Sequence, residues 1–237
     1  MTLAGCQAKT EGLHLTTKDR SVREATTRYL IELGQACADL GGTVMVFGSP
    51  AQRSLLPGVS REEAYENAAE VFRAALPAFA DRGVKIVMEP LTTRETDFVN
   101  SCAEAVELID LVGHSHFVLH QDVKAMLTET KPIPDLIAQY ASLTGHFHVN
   151  DENLLGPGMG KTDYRPIVKA LLKSGYSGWI SVEVFDYKPG AEFIARQSLN
   201  YMRQILAEVT ADQDLTDQDS AASPRQDEIA QEAGCDR

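Results

Sequence analysis

Residues Gly145 to Phe185 read GHFHVNDENLLGPGMGKTDYRPIVKALLKSGYSGWISVEVF. His146 and His148 alternate with Phe147 and Val149, the period of a strand, so both imidazoles point to one face. The polar run Asn150, Asp151, Glu152 and Asn153 ends that strand. Gly156, Pro157, Gly158 and Gly160 follow as a loop of φ-permissive and φ-fixed residues. Ile167, Val168, Leu171 and Leu172 then fall at helical spacing, with Gly175 as the stop. Trp179 to Val182 reads as a second, buried apolar strand, and Glu183 stands at its far end. A charge there is costly unless something binds it. The whole stretch is one βαβ unit.

Working outward, the same unit recurs. A helix from about Ser21 to Leu40, with Thr16, Thr17 and Asp19 as cap candidates, ends at Gly41-Gly42 and leads to a strand at Thr43 to Phe47. Ser60 and Glu63 predict a capping box on a helix that runs to about Arg82, with Pro77 as a potential kink inside it. Strands follow at Val84 to Met88 and His116 to Leu119, with helices near Cys102 to Leu111 and Ile133 to Ala141. Five buried strands therefore end near Gly48, Glu89, Asp122, His148 and Glu183, each followed by a helix. That alternation predicts a parallel sheet with right-handed crossovers.

Composition narrows the partners. The chain has 237 residues, 43% of them hydrophobic, and a net charge of −12. No Lys/Arg stripe interrupts that field, which repels a phosphate backbone, so nucleic acid is not an expected partner. No apolar run approaches the length of a membrane span, and no membrane partner is expected. Cys6, Cys37, Cys102 and Cys235 lack CxxC spacing and read as free thiols. With no basic-then-apolar leader at the N-terminus, a cytoplasmic location is expected. Residues 1–209 form the expected folded domain. Residues 210–237 are polar and acidic and read as a disordered tail.

Glu89, Asp122, His148 and Glu183 each close a predicted parallel strand, and in a β/α barrel those ends converge on one mouth. Three carboxylates and one imidazole without a thiolate suit one divalent ion: Mn²⁺, Mg²⁺ or Co²⁺, with Zn²⁺ tolerated. A cation would also relieve the crowding of the acids. The competing reading is that each acid caps the helix that follows it.

The segments HFHVND, GPGMGKTDYRPIVKALLKSGYSGWISVEVF, VMVFGSPAQR, IVMEPL and LHQDVKAM resemble the sugar isomerase/epimerase superfamily of xylose isomerase-like barrels, over roughly residues 12 to 206. The resemblance implies an α/β TIM barrel that lacks its first two to three strands, with Thr2 to Cys6 as a remnant of the third. It implies Glu89, Asp122, His148 and Glu183 as metal ligands. It also implies Glu89 and Glu183 as the acid/base pair of a ketose isomerase or epimerase working through a metal-stabilised enediolate. Rival expectations are a dehydratase of the same superfamily, acting on an inosose or dehydroshikimate, and a barrel remnant that binds without turnover. An apurinic endonuclease would need more histidines and a basic groove. The chain departs from the epimerases at Ala125 and Leu154, where the family carries sugar-contacting histidine and arginine.

Substrate-binding candidates are Arg53, His120, Lys124 and His146. Arg53 either clamps a substrate oxygen or phosphate or lies at the surface. Lys124 either orients the substrate or is solvated. His120 either faces the mouth or is a buried, hydrogen-bonded core residue. His146 reads as a pocket residue or a support for the ligands. Trp179 and Phe185 read as core rather than as a sugar-stacking platform. His14, His114 and His116 carry no signal, and Lys161-Thr162 lacks P-loop spacing. The expected partner is a sugar or sugar phosphate. A homodimer is suggested by the family and by the need to cover sheet edges.

Overall fold

A computed structural model describes residues 10–222, with side chains as far as Asp212. The elements run in order as α1 (Arg20–Asp39), β1 (Val44–Phe47), α2 (Arg61–Asp81), β2 (Lys85–Met88), α3 (Cys102–Val112), β3 (Phe117–Asp122), α4 (Val123–Met126), α5 (Ile133–Gln139), a 3₁₀ turn (Ala141–Leu143), β4 (Thr144–Val149), α6 (Tyr164–Lys173), β5 (Ile180–Val182) and α7 (Ala191–Ala222). The five strands lie in the order β1-β2-β3-β4-β5, and every pair is parallel. This is an arc of a β/α barrel in which sequence neighbours are spatial neighbours, as βαβ crossovers require.

Local chemistry sets the helix ends. The Ser60 hydroxyl accepts from the Glu63 N–H at 3.2 Å, and Glu63 Oε2 accepts from the Ser60 N–H at 3.0 Å, so the predicted capping box forms. Asp19 caps α1, and Pro77 sits inside α2. Helix α2 supplies the centre of the core. Phe72 packs on Phe47 and Phe117, with ring centroids 5.3 and 4.5 Å apart, and each such fully buried side chain contributes roughly 2–3 kcal/mol. Helices α1 and α2 approach closely because residue 34 is glycine; a Cβ there would lie 2.7 Å from the Phe79 ring.

Strand β2 is a continuous apolar run because helices cover one side and the interior of the arc the other: Ile86, Val87 and Met88 are fully buried. Strand β5 corrects the expectation of burial. It has only three residues, and Ile180 and Val182 are exposed. Trp179 is 80% exposed and Phe185 is 44% exposed, so neither is core. β5 pairs with β4 on one side only in the described sheet, which leaves its outer edge unpaired there. α7 continues past Ala211 to Ala222, since a run without Gly or Pro can extend a helix whose earlier turns are anchored by Ile205 and Val209. Thr2 to Cys6 and residues 223–237 lie outside the described residues. Cys37 and Cys102 are buried free thiols. Among the described residues no helix is long and apolar enough to cross a membrane.

Candidate metal and acid/base site

The C-terminal ends of β2 to β5 gather the four residues that the strand spacing predicts. Glu89 follows β2, and its N–H donates to the Phe47 carbonyl at 3.1 Å. Asp122 and His148 are register partners on β3 and β4, and both are buried. Glu183 continues the β4–β5 ladder through its N–H to the Val149 carbonyl at 3.2 Å. His148 Nδ1 lies 3.2 Å from Glu183 Oε2 and 3.9 Å from Asp122 Oδ2. A Cβ at residue 48 would sit 1.8 Å from the Glu89 carboxylate, so glycine there lets that carboxylate keep its position.

The helix-cap alternative holds at one position only, and there only for one oxygen. Asp122 Oδ1 accepts from the Ala125 N–H at 3.0 Å and caps α4. Its Oδ2 accepts instead from Asn150 Nδ2 at 2.7 Å. Helices α3 and α6 are capped by Ser101 and Asp163, so Glu89 and His148 are not consumed as caps.

The electrostatics are those of a site that wants a cation. Burial, with Asp122 and Glu183 nearby, raises the Glu89 carboxyl well above the usual carboxylate range, against the pull of Arg53 and Lys124. Burial and Glu183 push Asp122 up to about 6. Burial, with His148 and His146 adjacent, holds His120 well below its ordinary value and lowers His146 to about 4. His148 Nδ1 and Glu183 Oε2 are buried without a hydrogen-bond partner; although 3.2 Å apart, they do not meet hydrogen-bond geometry. Unpaired donors and acceptors at this depth are expensive, and a divalent cation would satisfy them. The donor set therefore fits such an ion. Glu89, His120, Asp122 and His148 offer ligand atoms that all lie within 4.8 Å of one another.

Among the substrate-binding candidates the structure separates roles. His120 is fully buried beside the cluster, stacked on His146 at 5.4 Å and edge-on to His148 at 4.2 Å. Arg53 is not a surface residue. It is completely buried, and its guanidinium donates to the Glu89 carbonyl at 2.6 Å and to the Val99 carbonyl at 3.3 Å. Val99 has a left-handed φ of 61°, so Arg53 braces a strained turn to the Glu89 backbone. Lys124 is not solvated: its side chain is 10% exposed, pairs with Glu95 at 2.8 Å and lies 4.0 Å from the Phe185 ring centroid. At the two positions that depart from the epimerase pattern, the Ala125 N–H donates to Asp122 and the Leu154 carbonyl accepts from the Phe185 and Asp186 N–H groups, bonds that the backbone makes whatever the side chain.

Two supporting residues escaped the sequence reading. Asn150 orients Asp122 and accepts from the Lys124 N–H at 2.8 Å through Oδ1. Asp151 ties down the glycine loop by accepting from the Gly160 N–H, the Thr162 N–H and the Thr162 hydroxyl. Their position directly after the strand that carries His146 and His148 was the available signal.

Residues 3–205 match the profile of the xylose isomerase-like TIM barrel. The chain belongs to that family. This xylose isomerase-like barrel is 25% identical over 219 residues to a probable ketose 3-epimerase of Synechocystis sp., covering 85% of this chain and 76% of that protein. It is 32% identical over 107 residues to the D-psicose 3-epimerase of Enterocloster bolteae, which is 45% of this chain and only 36% of the relative. In three dimensions it is similar to an L-ribulose 3-epimerase, with a TM-score of 0.78 at 19% identity over 86% of this chain and 75% of the other. It is likewise similar to the D-psicose 3-epimerase of Clostridium cellulolyticum H10 solved with D-tagatose, with a TM-score of 0.73 at 22% identity over 82% and 75%. These likenesses establish the barrel fold.

Proposed function

We propose that this chain is a divalent-metal-dependent sugar isomerase/epimerase acting on a ketose, with Glu89 and Glu183 as its proton-transfer pair. The observation that carries the reading is the convergence of Glu89, Asp122 and His148, all buried, and the partly buried Glu183 at adjacent strand ends. Ketose 3-epimerases and isomerases recur among the relatives, which supports the same reaction class.

Glu89, Asp122, His148 and Glu183 would hold the ion. When bound, a divalent cation supplies Lewis-acid polarisation of the substrate carbonyl. One glutamate takes the proton from the carbon alpha to that carbonyl, leaving an enediolate. The other, in its acid form, returns a proton to the opposite face, so the stereocentre inverts and the pair has exchanged protonation states. Burial raises the Glu89 carboxyl well above the usual carboxylate range, which favours its acid form and so suits a group that takes and returns a proton. Arg53 keeps the Glu89 backbone in place, and Asn150 keeps Asp122 from turning away. His146, at the rim of the histidine cluster, is the candidate contact for a sugar hydroxyl.

The test is metal content and affinity of the wild type beside Glu183→Gln and His148→Ala, paired with proton–deuterium exchange into fructose, tagatose and related ketoses. About one bound ion, weakened by both changes, with exchange alpha to the carbonyl in the wild type only, supports the assignment. A metal-loaded chain that exchanges no ketose proton sinks it.

A further inference from the structure

His120 lies outside the ligand set that strand spacing assembles, yet it is fully buried, and neither Nδ1 nor Nε2 meets hydrogen-bond geometry with a partner among the described residues, the His146 backbone being near enough only for a weak interaction. A buried imidazole normally donates through one nitrogen and accepts through the other, and leaving both idle is costly. Its Nε2 is 4.0 Å from Glu89 Oε1. Donors each about 2.1 Å from a shared ion lie roughly 3–4 Å apart, so this is a coordination spacing. Glu89, Asp122 and His148 complete a mutually close set with it.

The backbone accounts for this placement. The β3–β4 register shifts between Leu119 and His120, after which His120 pairs with His146 and Asp122 with His148. A bulge of this kind re-aims side chains, and the two-residue spacing keeps His120 on the face that carries Asp122. His146 stacks on the His120 ring with 24° between the planes, which fixes the ring against rotation.

We propose that His120 is a direct ligand of the divalent cation in addition to Glu89, Asp122, His148 and Glu183, and that this second imidazole moves the site's preference from Mg²⁺ toward Co²⁺ and Zn²⁺. The inference rests on the metal part of the proposed function and not on its sugar chemistry.

The full chain is loaded with Mn²⁺, and pulsed EPR counts the ¹⁴N couplings from bound imidazole; Co²⁺ and Mg²⁺ affinities are measured by calorimetry on wild type and His120→Gln. Two imidazole nitrogens in the wild type and one in His120→Gln are expected, with Co²⁺ affinity falling by about tenfold or more and Mg²⁺ affinity by about twofold or less. A single imidazole in the wild type overturns the proposal, and that count stands even where His120→Gln does not fold. Equal losses for the two ions overturn the claimed preference. Two imidazoles without ketose exchange uphold the ligand and sink only the sugar reading. One imidazole with exchange does the reverse.

Discussion

Asn150 donates from Nδ2 to Oδ2 of Asp122 at 2.7 Å, across the ends of two neighbouring strands. That bond points the second carboxylate oxygen of Asp122 while the first caps α4. Asn150 is in turn fixed by Tyr164, whose hydroxyl accepts from the Asn150 N–H at 3.0 Å and also bonds its carbonyl. Replacing Asn150 by alanine is expected to lower divalent-cation affinity by roughly 10- to 100-fold, the usual cost of removing a group that orients a ligand. Calorimetric titration with Mn²⁺ checks this; an affinity within a factor of two of wild type refutes it.

Arg53 should prove structural before it proves chemical. Arg53→Met leaves the Glu89 carbonyl without its side-chain donor and takes one of two donors from the Val99 carbonyl, which keeps the Leu91 N–H at 3.1 Å, so a loss of about 1–3 kcal/mol is expected in urea unfolding. Arg53→Lys should recover only part of it, since one ammonium on a flexible stem does not reproduce a planar fork reaching both oxygens. A substitution that raises the Michaelis constant and leaves stability untouched would return Arg53 to the substrate-clamp role.

The raised carboxyl of Asp122 sets a sign for pH dependence. A carboxyl at about 6 in the folded chain against 3.8 in the unfolded one contributes stability that is fully present below about 3.8 and lost as pH rises through about 6. Chelated protein should therefore lose on the order of 2–3 kcal/mol from this group between about pH 4 and pH 7, and Asp122→Asn should flatten that slope. A divalent cation should reverse the loss most strongly at the upper end of the window. Thermal unfolding of both proteins, with and without Mn²⁺, reads the comparison; parallel profiles would contradict it.

Asp151 holds the glycine loop through three accepted hydrogen bonds, to the Gly160 N–H at 2.8 Å, the Thr162 N–H at 3.0 Å and the Thr162 hydroxyl at 2.6 Å. Asp151→Ala should free residues 156–162, with faster proteolysis there and a stability loss of about 1–3 kcal/mol. Limited proteolysis locates the first cut; cleavage elsewhere first would mean that the loop is anchored by other contacts.

The sequence by itself determined the alternation of strands and helices and the four residues at the strand ends. Parallel strands covered on both sides read as uninterrupted apolar runs, and a polar residue that breaks such a run marks the end facing the barrel mouth. Glu89, Asp122, His148 and Glu183 were legible for that reason, as was the Ser60–Glu63 cap, whose partners are three residues apart. What only the tertiary structure decided depends on neighbours distant in the chain. Trp179 and Ile180 have the composition of a core strand, and their exposure follows from the missing partner on one side of β5. Arg53 reads as a surface or substrate residue until Glu89 and Val99, 36 and 46 positions away, present their carbonyls to it. His120 enters the ligand cluster through a register shift between two strands, and a pairing irregularity of that kind leaves no mark in the periodicity of either strand alone.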